Sequence, residues 1–321
     1  RSHGPRPDYV PALAAVLQDT FDRGGNLVIP SFAVGRTQEM LYFLRQIKEQ
    51  NLVKGHENFT VYVDSPMAVE ATQVFKTSWA ECYDEEARTL VMQGVNPINF
   101  RGLKLSLSSD DSKAINFDSE PKVILSASGM CEAGRIRHHL KHNLWRPEST
   151  VLFVGYQSPG TLGRALVEGA KEVKLFGETI EVRCKVQVLA GVSGHADNEG
   201  LMNWVKNFES KPRTVFVTHG EDEVCDIFAN RLRSELGLAA AAPYNGAEYD
   251  LVTGSCLVVG NTQRIAKGEG GGKKRENPVF RRLLDAGLRL LNIIKAKEGH
   301  TNKELARFAS QVEALCDKWQ D

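Results

Sequence analysis

Two histidines stand where an α/β protein places its chemistry. His195 lies in Val192-Ser-Gly-His-Ala-Asp197, just beyond the strand-like run Glu181-Val-Arg-Cys-Lys-Val-Gln-Val188. A histidine in a small-residue turn behind a strand sits at the strand's carboxyl end, where open α/β sheets bind ligands. There an imidazole can give or take a proton. Asp197, two residues on, would orient that ring or cap the next helix, and a surface histidine beside a capping aspartate is the plain alternative. His219 follows directly on the apolar run Thr214-Val-Phe-Val217, in Thr218-His-Gly-Glu221. A strand would hold this imidazole on a rigid support, as a metal ligand needs, and Glu221 could fix its tautomer; a structural strand-end histidine is the plain alternative.

A third pattern is Ser126-Ala-Ser-Gly-Met130, followed by Gly134-Arg135. A strand that ends in small residues before a helix lets backbone amides approach a phosphate closely. It also serves as an ordinary tight junction. His138, His139 and His142, with Arg135, Arg137 and Lys141, read as the basic face of a helix and not as metal ligands.

These residues need elements to position them. Val10, Leu13, Ala14, Leu17 and Phe21 recur at helical spacing and stop at Gly24-Gly25. Asn26–Pro30 reads as a short buried strand, Thr37–Gln50 as a helix and Phe59–Val63 as a second strand. Asp64-Ser-Pro66 opens a further helix, with proline in the favoured first turn. Lys122–Leu125 and Val151–Val154 are strands with a helix between them, about Arg135–Leu144. Strands alternating with helices predict an α/β fold with a largely parallel sheet. From about Gly177 to Ala190 the pattern turns β-rich, and β/α units return with Thr214–Val217. Lys267-Gly-Glu-Gly-Gly-Gly-Lys-Lys-Arg275 reads as a linker. Two helices follow: Pro278–Lys297, with a stripe through Leu283, Leu284, Leu288, Leu291 and Ile294, and Thr301–Trp319, opened by a Thr301/Glu304 capping box. The pair reads as a C-terminal hairpin, with homodimer formation or partner binding as the alternative.

Composition bounds the rest. The 321 residues suffice for about two domains. Lysine plus arginine equals aspartate plus glutamate at 40 each, so any nucleic-acid contact must come from local basic patches. No apolar run approaches the ~20 residues of a membrane span. The six cysteines are scattered without a CxxC pair, which excludes a cysteine zinc site and fits reduced thiols in a cytoplasmic protein. The chain opens abruptly on Arg1 and reads as a fragment or processed product.

Five motifs in order carry a resemblance: Ile29-Pro-Ser-Phe-Ala-Val-Gly-Arg-Thr-Gln-Glu39, Val63-Asp-Ser-Pro-Met-Ala68, Ser126–Met130, Ser193–Asp197 and Thr218–Glu221. Over roughly residues 1–260 the chain resembles the metallo-β-lactamase/β-CASP family of RNA-processing hydrolases. That group includes the endonuclease subunit of the cleavage and polyadenylation specificity factor and its bacterial relatives. The resemblance implies the end of a first metallo-β-lactamase segment at 1–25 and a β-CASP α/β cap at 26–183. It also implies the C-terminal part of the metallo-β-lactamase αββα domain at 184–262. A linker at 263–277 and a helical extension at 278–321 lie beyond it.

The resemblance further implies that His195 protonates the leaving oxygen and that His219 binds one of two zinc ions, with Asp197 and Glu221 behind them. Amides near Ser128, Gly129 and Gly194, with Arg36 and Arg135, would grip the phosphates of single-stranded RNA. A zinc-bound hydroxide would be the nucleophile, near neutral pH. The family's His-x-His-x-Asp-His motif does not occur in this sequence, so the chain alone is expected to hold zinc poorly and not to cleave RNA. A valine in the place of His219 would mark the DNA-repair branch, and loss of the histidines would mark a silent RNA-binding scaffold; here both are present.

Overall fold

The computed structural model describes residues 7–189, 191, 195–262 and 301–319, with isolated positions between 283 and 297. Gly194, the linker 263–277 and most of the helix expected over Pro278–Lys297 lie outside the described residues. Two compact units divide the chain: Arg1–Val215 with Ile227–Ala240, and Phe216–Asp226 with Ala241–Asp321.

The first unit opens with α1 (Tyr9–Asp22), capped by the Asp8 carboxylate, which accepts from Val10 N–H. Then come β1 (Leu27–Pro30), α2 (Arg36–Glu49), β2 (Thr60–Val63) and α3 (Pro66–Thr77). Ser65 caps α3 and Pro66 fills its first turn, as the sequence predicts. Two short helices, α4 (Trp79–Cys82) and α5 (Glu85–Met92), precede β3 (Leu103–Leu105) and α6 (Ser109–Phe117). The sheet continues with β4 (Lys122–Ser126), α7 (Ile136–Asn143), β5 (Thr150–Phe153) and α8 (Leu162–Val167). A hairpin of β6 (Glu172–Leu175) and β7 (Glu178–Glu181), then β8 (Lys185–Val188) and α9 (Asn198–Lys206), follow.

Six strands form one wholly parallel sheet in the order β3-β2-β4-β1-β5-β8. Every residue of β1, β4 and β5 is buried, because helices cover both faces. Successive side chains point to opposite sides. Val123 and Leu125 enter one core with Leu13, Leu17, Met40 and Leu44 of α1 and α2. Ile124 enters the other with Ile136 and Leu140 of α7 and Leu166 of α8. The β-rich character after Gly177 resolves into two destinies. β7 stays in its hairpin, while β8 pairs with β5 from Thr150↔Lys185 to Phe153↔Val188 and becomes an edge strand of the sheet.

In the second unit, Val217 N–H donates to Ala241 O at 2.8 Å. The elements in this part of the chain are β9 (Val215–Phe216), α10 (Asp222–Leu236), β10 (Ala240–Ala241), β11 (Glu248–Tyr249), β12 (Cys256–Val258) and α11 (Asn302–Trp319). β11 and β12 pair antiparallel, and the Phe216 and Tyr249 rings meet edge-to-face at 4.8 Å. Thr301 Oγ1 donates to the Glu304 carboxylate at 3.0 Å ahead of α11. No helix among the described residues is long and apolar enough to cross a membrane.

Candidate functional site

The connections diverge at the neighbouring pair β2 and β4: β2 leads outward to β3 on one side, and β4 leads through α7 to β5 and on to β8 on the other. Such a divergence opens a crevice at the strands' carboxyl ends. A hollow of about 520 Å³ lies there, lined by Phe32, Pro66, Met67, Ala127, Ser128 and Arg135. Its rim is apolar and open: Phe32 is 51 % and Met67 65 % exposed.

Below the hollow lies a buried polar network. Ser31 N–H donates to Ser126 O and Asp64 N–H to Leu125 O, tying the ends of β1, β2 and β4 together. The Asp64 side chain is wholly buried and takes Arg135 Nη1 on one oxygen at 2.8 Å. Its other oxygen takes Ser112 Oγ at 2.5 Å and His139 Nε2 at 2.6 Å. Burial by itself would raise the Asp64 carboxyl, but hydrogen bonds from His139 and Ser112 outweigh it and hold the pKa down at about 2.

This network corrects the expected basic helix face. His139 is wholly buried, and its Nδ1 faces Asn116 Oδ1 at 2.8 Å. The reason is the helical period: Ile136, His139, Leu140 and Asn143 share the inward side of α7. Only His138 and, in part, His142 of the three histidines face outward.

The phosphate-gripping residues expected from the resemblance occupy varied places. Ser128 lines the hollow, but its N–H closes the loop onto Ala133 O at 3.4 Å. Gly129 is buried against the backbone of Ser31 and Phe32. Arg135 lines the hollow while its guanidinium also donates to Ser106 O and Leu107 O. Arg36 pairs with Glu39 on its own helix. Gly134 makes the loop possible: its φ is +79°, and a Cβ there would lie 2.6 Å from Ala127 O.

His195 is exposed just before α9. The Asp197 carboxylate accepts Gly200 N–H at 2.8 Å and caps α9. His219, in the second unit, is exposed and adopts a left-handed backbone with φ +63°. Its strand support is shorter than expected, because β9 has two half-buried residues. The Glu221 carbonyl accepts Cys225 N–H at 2.9 Å and starts the helix behind it. Among the described residues no group of three or more His, Cys, Asp or Glu side chains converges as a metal site. Zinc prefers about four ligands, so the residues described here do not by themselves fit a complete zinc site.

Asp64, Phe32 and Met67 stand within the sequence motifs but carry no predicted role there. The signal for Asp64 was an aspartate directly after a strand whose neighbours are buried.

A parallel α/β unit with a hollow at its strand ends, followed by exposed imidazoles in two later turns, defines a β/α protein with a candidate site at the carboxyl ends of its strands. Residues 37–166 match the Beta-Casp domain, and residues 179–243 match the Zn-dependent metallo-hydrolase RNA specificity domain. The chain belongs to the metallo-β-lactamase/β-CASP family of RNA-processing proteins. It is 37 % identical over 225 residues to Ribonuclease TTHA0252 of Thermus thermophilus, a match over 70 % of this chain and 49 % of that protein. It is 35 % identical over 239 residues to Transcription termination factor FttA of Methanosarcina mazei, covering 73 % of this chain and 37 % of the relative. The FttA of Methanocaldococcus jannaschii is 34 % identical over 239 residues, with the same coverage. The chain thus spans half or less of the length of these relatives.

Proposed function

We propose that the whole protein is a zinc-dependent RNA hydrolase. In this reading the present chain supplies its RNA-holding hollow, a proton donor at His195 and one zinc ligand at His219. The observation that carries it is the pair of exposed turn histidines inside a chain that matches both a β-CASP domain and a metallo-hydrolase RNA specificity domain. Zinc, when bound, would supply a nucleophilic hydroxide near neutral pH. Its remaining ligands come from sequence outside this chain. The residues here do the rest. Phe32 and Met67 offer an apolar shelf for an unstacked base. The leaving oxygen of a cut phosphodiester needs a proton, which the imidazole of His195 donates. Both histidines count against a silent scaffold.

The test is cleavage of 5′-labelled RNA by the whole protein. His195→Ala and His219→Ala should each abolish turnover while RNA affinity stays within about twofold, since neither removes the base-binding shelf. Undiminished turnover in either variant would refute the assignment of that residue.

A further inference from the structure

A second groove, between α6 and α7, is not used by the site described above. It has a volume of about 390 Å³ and is lined by Ser109, Lys113 and Phe117 from one helix and by His138 and His142 from the other, with Asn116 in the floor. Its end wall is Arg135, the same residue that closes the strand-end hollow. The groove joins an aromatic shelf to cations. Phe117 is 80 % exposed, with the His142 ring edge-to-face at 6.0 Å. Beyond the groove, His138 stacks on Phe176 at 4.4 Å, and the Arg137 guanidinium lies 5.1 Å from the same ring. No carboxylate lines the groove; Asp110 on α6 pairs with Lys113 at 3.0 Å, both side chains being largely exposed. Burial, then the neighbouring histidines and Lys141, push His142 below the usual histidine range, so Lys113 and Arg135, the latter paired with Asp64, are the groove's fixed charges at neutral pH.

An exposed phenylalanine in a groove shared with a lysine and an arginine has the composition of a single-strand nucleic-acid contact, in which bases stack and phosphates meet positive charge. We propose that the α6–α7 groove binds one further nucleotide of single-stranded RNA, its base on Phe117 and its phosphate toward Lys113 and His138. The strand would continue past Arg135 from the strand-end hollow. The inference rests on the RNA reading above and extends it from one base shelf to a track of two.

The test is fluorescence anisotropy of labelled oligouridylate, about 12 nucleotides long and so within known single-strand site sizes. Single-stranded and duplexed forms would be titrated into the 321-residue chain. Phe117→Ala should weaken single-strand binding about tenfold, Phe117→Trp should preserve it, and duplex binding should not respond to either. Lys113→Gln should flatten the slope of log affinity against log salt by about 0.7. Both positions are exposed, so unchanged thermal melts will confirm intact folding. If the unsubstituted chain binds the oligomer and Phe117→Ala matches it, the groove proposal falls while the RNA reading stands. If the unsubstituted chain binds neither form, both fall. If Phe117→Ala abolishes self-association but not RNA binding, the groove belongs to a second copy and the proposal is overturned.

Discussion

Asp64→Asn tests the buried network that shapes the hollow. The carboxylate is wholly buried and meets Arg135, Ser112 and His139 at 2.8, 2.5 and 2.6 Å. The amide keeps the shape but removes the charge, leaving Arg135 without its buried counter-charge. Breaking a buried pair from one side costs roughly 3–5 kcal/mol. An independent figure comes from titration. The carboxyl is held at about 2 against an ordinary 3.8, and 1.36 kcal/mol per pH unit makes this about 2 kcal/mol. The sign follows from the depressed value: the stabilisation is complete above pH 3.8 and is lost as pH falls through about 2. Urea unfolding of the native and Asp64→Asn chains at pH 7 and at stepwise lower pH measures it. The two stabilities should differ by roughly 2–5 kcal/mol at neutral pH. The gap should shrink below about pH 4, since other carboxylates contribute equally to both chains. A difference under about 1 kcal/mol at pH 7, or one that stays constant down to pH 2, would refute the reasoning.

Three further outcomes follow from the same structure. Gly134→Ala forces a side chain into φ +79° and sets its Cβ 2.6 Å from Ala127 O, so it should destabilise the chain by roughly 1–3 kcal/mol in the same unfolding assay. Phe32→Ala, which removes half of the hollow's apolar rim, should weaken single-stranded RNA about tenfold by anisotropy and leave stability nearly unchanged. Metal analysis of the 321-residue chain after dialysis should return clearly less than one zinc per chain, because one imidazole falls far short of about four ligands.

The fold was legible where burial is two-sided. Leu27–Pro30, Lys122–Ser126 and Thr150–Phe153 are apolar runs, and all three lie central in the parallel sheet. β3 was not legible: Leu103-Lys-Leu105 is three residues long and largely exposed, so it carries no burial signature. β8 could be read as a strand but not assigned to a sheet, since its pairing with β5 is a contact between distant segments. His139 was misread because polarity suggests exposure, and only a helical-wheel comparison with Ile136, Leu140 and Asn143 would have turned it inward. His195 and His219 stood out because small-residue turns display them. Asp64 did not, because its partners Ser112, Arg135 and His139 lie far from it in sequence.

A zinc-dependent RNA hydrolase, as proposed for the whole protein, must lose its cleavage when metal is withdrawn. Incubating the whole protein with 5′-labelled single-stranded RNA, with and without chelator, tests it most directly. Shortened labelled fragments should form, vanish on chelation and return when zinc is restored. Intact RNA under all conditions, or cleavage that survives exhaustive chelation, would contradict it.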